Sequence, residues 1–226
     1  SVYRELPLLV ALPENLDQVR KILQTCDRLQ FPVVTRGAGT GLSGGALPLA
    51  EGLLLVMTRM NRILNVDSLN RTVRVQPGVR NLEVSEAVAA HGLFYAPDPS
   101  SQIACSIGGN VAENSGGVHC LKYGLTVHNV LEVRMLTVAG EELLIGGESL
   151  DSPGYDLLAL VNGSEGMLGV IVEVVLRLLP LPETAQVVLS GFTDTERAAS
   201  AVSAIIAAGI VPAGLEMMDS LAIEAV

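Results

Sequence analysis

The sequence has 226 residues, of which 49% are hydrophobic and 17% charged, so it can bury a core and is not disordered. Its 24 acidic residues outnumber 14 basic ones, the net charge is −10, and tryptophan is absent. A chain this acidic, without a basic cluster, is not expected to bind nucleic acid or an anionic membrane. The three cysteines include no C-x-x-C pair, so a disulfide framework is not expected, and a reducing compartment fits better. The histidines lack the spacing of metal ligands, so no metal site is predicted.

Hydrophobic periodicity predicts alternating helices and strands. In chain order, strands are predicted at 8–11, 32–35, 53–57, 63–66, 72–76, 93–96, 130–138, 141–145, 170–179, 187–191 and 215–218, and helices after 15, at 80–90 and at 195–208. A polar turn at 67–70 and a hairpin at Ala139–Gly140 are expected to join strand pairs.

The later part of the chain carries further local signals. A capping box at Thr193 and Glu196 is predicted to begin the third helix, and Gly209 to end it, so the uncharged run at 198–215 is not a transmembrane span. Asp219 is a natural N-cap with only seven residues after it, too few for an isolated helix. We therefore expect the sequence to be a piece of a longer protein.

The first of three glycine-rich segments, Gly37–Gly45, follows a predicted strand. It contains a literal G-x-G-x-x-G motif, at Gly39, Gly41 and Gly44. A Rossmann site needs a helix directly after this motif, whereas Pro48 and Gly52 interrupt and another strand follows. Small residues leave successive backbone N–H groups free to converge on a diphosphate, and Arg36 and Thr40 add a cation and a hydroxyl. The segment therefore predicts a phosphate-binding loop outside a Rossmann fold.

The second segment, Pro97–Gly117, combines two X-Pro steps with small and amide residues. Long ordered loops in compact domains are usually functional, so we expect this loop to hold a bulky ligand by its backbone. The third segment, Gly163–Gly169, precedes an apolar strand and is equally consistent with a ligand contact and with a plain turn.

Together these segments resemble the FAD-binding domain of the vanillyl-alcohol-oxidase, or PCMH-type, flavoprotein superfamily. The resemblance rests on P-V-V-T-R-G-A-G-T-G-L-S-G-G at 32–45, P-D-P-S-S at 97–101, S-I-G-G-N-V-A-E-N-S-G-G at 106–117, K-Y-G at 122–124 and G-Y-D-L-L to G-S-E-G-M-L-G at 154–169. More narrowly, the resemblance is to the 2-hydroxy-acid dehydrogenase branch, which includes the FAD-linked subunits of bacterial glycolate oxidases.

The resemblance implies an α+β fold of two α/β lobes. A FAD-binding PCMH-type domain would occupy 1–182, with lobes at about 1–60 and 61–182, and 183–226 would begin a truncated C-terminal α+β cap domain that binds substrate.

The resemblance also implies the site. Residues expected to contact FAD along its length are Gly37, Ala38, Gly39, Thr40 and Gly41 at the pyrophosphate; Pro97, Asp98 and Ser101 at the ribityl and isoalloxazine region; Ser106, Gly108, Gly109, Ala112 and Asn114 on the flavin and pyrophosphate; and Glu165, Gly169, Val170 and Ile171 along the adenosine half. FAD is expected to be non-covalent, because the first loop has no histidine to which it could be tethered. No catalytic or metal-ligating residue is expected here, since in this family these lie in the C-terminal domain.

The implied reaction is oxidation of a small 2-hydroxy acid, such as glycolate or lactate, to the 2-oxo acid by hydride transfer to flavin N5. The piece alone is expected to be inactive. The implied partners are other glycolate oxidase subunits, including an iron–sulfur subunit, and the implied location is the cytoplasm, peripheral at the inner face of the membrane without a span. Three alternatives stay open: the FAD domain of a D-lactate or D-2-hydroxyglutarate dehydrogenase, a non-redox nucleotide-binding module, and a structural subunit.

Overall fold

A computed structural model describes residues 4–147 and 154–225 of the chain. Its strands are β1 Leu9–Ala11, β2 Val33–Arg36, β3 Leu53–Val56, β4 Ile63–Asp67, β5 Thr72–Val75, β6 Leu93–Phe94, β7 Val130–Leu136, β8 Glu142–Gly146, β9 Val170–Arg177 and β10 Leu179–Pro180. Its α-helices are α1 Leu16–Arg28, α2 Asn81–Val88, α3 Ile107–Glu113, α4 Cys120–Tyr123, α5 Leu157–Val161, α6 Thr195–Ala207 and α7 Ser220–Glu224. Short 3-10 helices lie at 57–59, 89–91 and 126–129.

The first lobe is a three-stranded parallel sheet in the order β1-β3-β2, covered by α1. Asn15 caps α1 as predicted, with its side chain accepting a hydrogen bond from the Gln18 N–H at 3.0 Å. The predicted apolar face of α1 includes Cys26, which is buried against strand β3. Burial in apolar surroundings raises the pKa of the Cys26 thiol, so Cys26 is a packing residue.

The second lobe is a five-stranded antiparallel sheet in the order β4-β5-β9-β7-β8. Its central strand, β9, is buried on both faces. Ile171 and Val174 pack into the core of this lobe, whereas Val170 and Val172 pack with α1 and β3 of the first lobe. This double burial explains why β9 is an unbroken apolar run without polar alternation.

Local turn chemistry agrees with the sequence predictions. The Asp67 side chain accepts hydrogen bonds from the backbone of Leu69 and Asn70, at 3.1 and 2.9 Å, and so forms the turn between β4 and β5. Gly140 has a φ of 80° in the hairpin that joins β7 and β8. The Arg20 side chain of α1 reaches this hairpin, 2.8 Å from a Glu142 oxygen, and ties the two lobes together.

The segment after residue 180 differs from the predictions. Residues 187–191 and 215–218 are not strands, and Val187 and Leu189 are almost fully exposed. An apolar run forms a strand only when a neighbouring strand accepts its hydrogen bonds, and neither run has such a neighbour among the described residues. The third predicted helix is present as α6, but Asp194 caps it, instead of Thr193, by accepting from the Arg197 N–H at 2.8 Å.

The predicted ranges 1–182 and 183–226 include residues 1–3, 148–153 and 226, which lie outside the described residues. For the rest, the α+β fold class is confirmed, and the two lobes meet along β9.

Candidate functional site: a cavity between the two lobes

The three glycine-rich segments converge on one cavity of about 360 Å³ between the lobes. The first segment follows β2 at the carboxyl end of the parallel sheet, where α/β sheets commonly place ligands. Residues that line the cavity are Thr35, Gly37, Ala38, Gly39, Thr40, Gly41, Leu42, Gly45, Ala46, Met57, Pro77, Pro99, Ser100, Ser101, Cys105, Ser106, Gly108, Gly109, Asn110, Ala112, Glu113, Ser115, Gly116, Glu165, Gly166, Gly169 and Ile171.

Within the second segment, the backbone folds into helix α3, which the sequence analysis treated as loop. Ser106 is its N-cap, and its Oγ lies 3.4 Å from the Gly109 nitrogen. The signal for this helix was present, because a serine before an apolar residue is a typical N-cap, but the two glycines of α3 concealed it.

Glycine is required where α3 meets its neighbours. A Cβ on Gly108 would lie 2.7 Å from the Pro77 Cβ and 3.2 Å from the Pro77 oxygen. A Cβ on Gly37 would overlap the Ser106 Oγ. The first loop and the loop before α2 can therefore approach α3 only without side chains at these positions, which leaves backbone groups to form the cavity wall.

Arg36 supplies a positive charge beside the first loop. Its guanidinium lies against Gly39, whose φ of 70° is in the left-handed region. Arg36 is half-buried, and it forms no ion pair with any side chain in the part of the chain that the structure describes. A cation without an internal partner beside free backbone N–H groups is suited to an anionic group of a ligand.

The third segment docks on the end of α3. The backbone nitrogens of Gly163 and Glu165 donate to the carbonyl oxygens of Val111 and Ala112, both at 2.8 Å. Through these bonds the Glu165 side chain comes beside the Glu113 side chain. Burial, with a smaller contribution from the negative charge of Glu165, raises the pKa of Glu113 above its ordinary value.

Thirteen of the seventeen residues predicted to contact the cofactor line this cavity; they are Gly37, Ala38, Gly39, Thr40, Gly41, Ser101, Ser106, Gly108, Gly109, Ala112, Glu165, Gly169 and Ile171. The other four do not line it. The Pro97 oxygen accepts from the Asn81 amide at 3.0 Å, the Asn114 Oδ1 accepts from the Val127 N–H at 3.0 Å, and Val170 is buried in the first core.

Asp98, the fourth, is bonded to a histidine instead of lining the cavity. Its Oδ2 lies 2.5 Å from the Nδ1 of His119, a side chain with 41% exposure. Asp98 also packs against Gly117, where a Cβ would overlap its backbone and side-chain oxygens. The pair thereby holds the start of α4 near two segments of the cavity wall, the one at Pro99 before α3 and the one at Gly116 after it.

Several lining residues were missed by the sequence analysis, and two of them are chemically informative. Asn110 and Glu113 lie one turn apart on α3 and so share the face that borders the cavity. Asn110 is 1% exposed, and its buried Nδ2 has no hydrogen-bond partner among the described residues. Recognition of α3 from its N-cap would have grouped these two residues by their spacing.

Across residues 4–147 and 154–225, no group of three or more His, Cys, Asp or Glu side chains is arranged to hold a metal ion. Within the same ranges, none of the helices combines the length and apolar character needed to cross a membrane.

Comparison with known proteins agrees with this geometry. Residues 7–146 match the FAD binding domain family, and residues 181–226 match the family of FAD linked oxidases, C-terminal domain. The chain belongs to the FAD binding domain family.

Individual relatives are similar along almost the whole chain. It is 64% identical to the glycolate oxidase subunit GlcD of Escherichia coli K12 over 225 residues, which is 100% of the chain and 45% of that protein. It is 38% identical to a D-lactate dehydrogenase of Archaeoglobus fulgidus over 216 residues, 95% of the chain and 48% of the relative. Among solved structures, an alkyldihydroxyacetonephosphate synthase has a TM-score of 0.77 at 25% identity, covering 91% of this chain and 38% of the other. The chain thus spans about half the length of the curated relatives it matches.

Proposed function

We propose that the cavity between the lobes binds FAD and that the chain is the cofactor-binding part of an oxidoreductase that acts on a small 2-hydroxy acid. The observation that carries this proposal is the convergence of three glycine-rich segments, distant in sequence, on one cavity in a chain that belongs to the FAD binding domain family. All seventeen predicted contact residues remain part of the proposal; thirteen line the cavity and four do not.

The residues present fit a dinucleotide with a diphosphate at its centre. Side chains are absent where Gly37 and Gly108 pack closely, so backbone N–H groups can reach a ligand. Arg36 is available to balance phosphate charge, and the buried Asn110 contributes to the same wall. The first loop, 37–45, contains no histidine, which supports non-covalent binding.

When bound, FAD supplies the electron-pair acceptor for oxidation of the substrate. The described residues bind and orient it: the first loop and Arg36 hold the diphosphate, and the packed face of α3 excludes water from one side of the cavity. Catalytic residues are not assigned to this chain, and we expect no efficient turnover from it alone.

The domain proposal is supported by strand pairing beyond the family match. β9 lies between β5 and β7, and β10 pairs with β6, so the cofactor domain needs residues up to about 182. Residues 183–226 would then begin the C-terminal domain, in agreement with the family match at 181–226.

The substrate and the partners follow from relatives and remain proposals. Similarity to a glycolate oxidase subunit favours glycolate as substrate, and similarity to a D-lactate dehydrogenase keeps D-lactate as the second candidate. The name of the Escherichia coli relative contains the word subunit, which implies a multi-subunit enzyme. The proposal therefore includes an iron–sulfur subunit as electron acceptor and a cytoplasmic location at the inner face of the membrane.

Reconstitution of the 226-residue chain with FAD tests the proposal. A yellow protein whose flavin absorbance co-elutes with the chain in gel filtration is the expected result. Gly39→Val should abolish retention, because valine is strained at a φ of 70° and its side chain would displace Arg36. Gly191→Val, in open space outside the cavity, is the matched control.

A chain that folds but retains no FAD, or a Gly39→Val variant that retains it fully, would contradict the assignment of the cavity. Retention of ADP-type nucleotides without FAD would favour a non-redox nucleotide-binding module instead. Assay of the full-length protein with glycolate and D-lactate separates the two substrate candidates.

A further inference from the structure

An aspartate–histidine pair lies next to the cavity without lining it. The Oδ2 of Asp98 is 2.5 Å from the Nδ1 of His119, and the backbone N–H of His119 donates to the Oδ1 of Asp98 at 3.4 Å. Both carboxylate oxygens are thus directed to one histidine. Because an ionised carboxylate only accepts hydrogen bonds, the Nδ1 carries the proton, and the Nε2 of the neutral ring is left as an acceptor.

The Nε2 of His119 is open to a further partner. The His119 side chain is 41% exposed, against 17% for Asp98, and its Nε2 forms no hydrogen bond in the part of the chain that the structure describes. The other two histidines differ. The His128 Nδ1 accepts from the Leu125 N–H, and His91 is exposed, without a carboxylate partner among the described residues. His119 is the histidine that combines an orienting carboxylate with a free ring nitrogen.

His119 also lies where the cavity wall meets the C-terminal segment. Gly116, three residues before His119, lines the cavity. Val118, directly before His119, contacts Gly214, where a Cβ would lie 2.9 Å from the Val118 Cγ2 and 3.3 Å from the Val118 oxygen. Gly214 belongs to residues 181–226, which match the C-terminal domain of FAD linked oxidases. The start of α4 therefore has the cofactor cavity and the beginning of the second domain as neighbours.

This position suits a group that acts on the substrate instead of holding the cofactor. A bound dinucleotide would cover the residues that line the cavity, whereas an exposed side chain beside the cavity stays free for a second molecule. Oxidation of a 2-hydroxy acid removes a hydride from Cα and a proton from the hydroxyl group, and the proton needs an acceptor. Among the described residues that line the cavity, none is a histidine or a lysine.

We propose that His119 is the base that accepts the hydroxyl proton of the substrate, and that Asp98 positions it. The O–H bond of the substrate breaks, the proton moves to the His119 Nε2, and the resulting imidazolium is stabilised by the Asp98 carboxylate. The electron pair of the Cα–H bond leaves as hydride, for which bound FAD is the proposed acceptor, and the C–O bond becomes the carbonyl of the 2-oxo acid. This inference rests on the proposed function and extends it from cofactor binding to the reaction.

Few other groups surround His119. The Tyr123 ring of α4 has its centre 6.3 Å from that of His119, and the Lys122 Nζ lies 5.4 Å from the Tyr123 ring centre. Residues 212–215, the segment that contacts Val118, include no charged side chain. Protonation of His119 would remove its acceptor nitrogen, so the rate of substrate oxidation should fall as the pH is lowered.

Proton–nitrogen NMR of the histidine rings tests the premise without substrate or turnover. In the 226-residue chain at alkaline pH, where a histidine ring is neutral, His119 should show the tautomer with its proton on Nδ1. Asp98→Asn should lower the population of this tautomer, and loss of the signal in His119→Gln assigns it. A ring that carries its proton on Nε2 in the unmodified chain would overturn the inference.

Flavin reduction by glycolate or D-lactate, followed anaerobically in the full-length protein loaded with FAD, tests the role of the base. His119→Gln should lower the rate at saturating substrate about hundredfold, the size typical of general base catalysis. FAD affinity should be unchanged, because His119 does not line the cavity. The fall in rate at low pH should disappear with the histidine. His91→Gln, on an exposed histidine away from the cavity wall, should keep both the rate and its pH dependence.

Chemical rescue separates catalysis from support of the fold. Added imidazole should restore part of the rate in His119→Ala, since it replaces the missing base, but not in Asp98→Asn, where the ring is present and wrongly oriented. Circular dichroism and FAD content identify any variant that does not fold, and the NMR measurement on the unmodified chain gives an answer without one.

Flavin reduction at the wild-type rate in His119→Gln would overturn the inference. A parallel loss of rate and FAD affinity that imidazole does not restore would also overturn it, by limiting the pair to holding α4 in place. In both cases the protein still binds FAD or oxidises a 2-hydroxy acid before the change, so the proposed function stands. A full-length protein that binds no FAD, or that oxidises neither acid, refutes the proposed function itself.

Discussion

Replacement of Gly37 by alanine tests how closely the first loop packs on α3. The backbone of Gly37 is not in the left-handed region, so alanine adds no conformational strain. Its Cβ would overlap the Ser106 Oγ, whereas the Ser106 Cβ at 3.5 Å and the Gly109 nitrogen at 3.6 Å leave ordinary room. The collision is therefore with one atom, and that atom caps α3.

Ser106 must rotate away from the Gly109 N–H, or the loop must move. Loss of an N-cap costs about 1 kcal/mol of stability, and a loop displacement of similar cost would weaken FAD binding about fivefold. Denaturant unfolding and FAD titration by fluorescence measure the two effects. Gly191→Ala is the control, because Gly191 has an ordinary backbone and open space around it.

A second substitution isolates the cause. Ser106→Gly removes the colliding oxygen, and glycine at an N-cap costs only a few tenths of a kcal/mol. The Gly37→Ala, Ser106→Gly double variant should therefore recover most of the affinity lost in Gly37→Ala. Wild-type stability and affinity in Gly37→Ala would refute the packing argument, and a double variant no better than Gly37→Ala would show that Ser106 is not the obstacle.

Three further predictions concern the cavity wall. Asn110→Leu should raise the free energy of unfolding, because it removes a buried donor without a partner among the described residues. It should also weaken FAD binding, because Asn110 lines the cavity; a parallel change in stability and affinity would contradict a place for Asn110 in the FAD-binding wall. The pKa of Glu113 is raised above 4.5 in the folded state, so the contribution of Glu113 to stability is fully present below pH 4.5 and is lost as the pH rises through the folded pKa. Urea unfolding at a series of pH values across this window should therefore show Glu113→Gln gaining stability relative to wild type as the pH rises. A difference in stability that stays constant with pH would contradict the pKa shift. Bound FAD should slow alkylation of Cys105, a buried residue of the cavity wall, as measured by mass spectrometry. Cys26, in the core of the first lobe, is the internal reference. Equal protection of both thiols would indicate that FAD stabilises the whole fold instead of covering Cys105 in the cavity.

The prediction of local structure was most accurate where side chains and backbone chemistry act within a few residues. The cap at Asn15, the turn at Asp67 and the hairpin at Gly140 each depend on hydrogen bonds or φ values set by neighbours in sequence. The prediction was wrong at 187–191, because strand formation depends on a partner that no local pattern specifies. Helix α3 was missed since its glycines lower helix propensity, and packing on Pro77 compensates for this.

The residues after the first glycine-rich segment, Pro48 and Gly52 with a strand behind them, were enough to exclude a Rossmann site. Glycine content predicted ligand contacts for the first two segments, because backbone freedom and absent side chains are properties of the residues themselves, and left the third segment open. Their order along the chain then indicated the flavoprotein superfamily. Only the tertiary structure brought the three segments to one cavity, placed Asp98 against His119 instead of in the cavity lining, and set Glu113 beside Glu165 with Asn110 one turn away. These contacts join residues up to about 120 positions apart through the packing of β9 against both lobes, and such long-range proximity is not encoded in any local pattern.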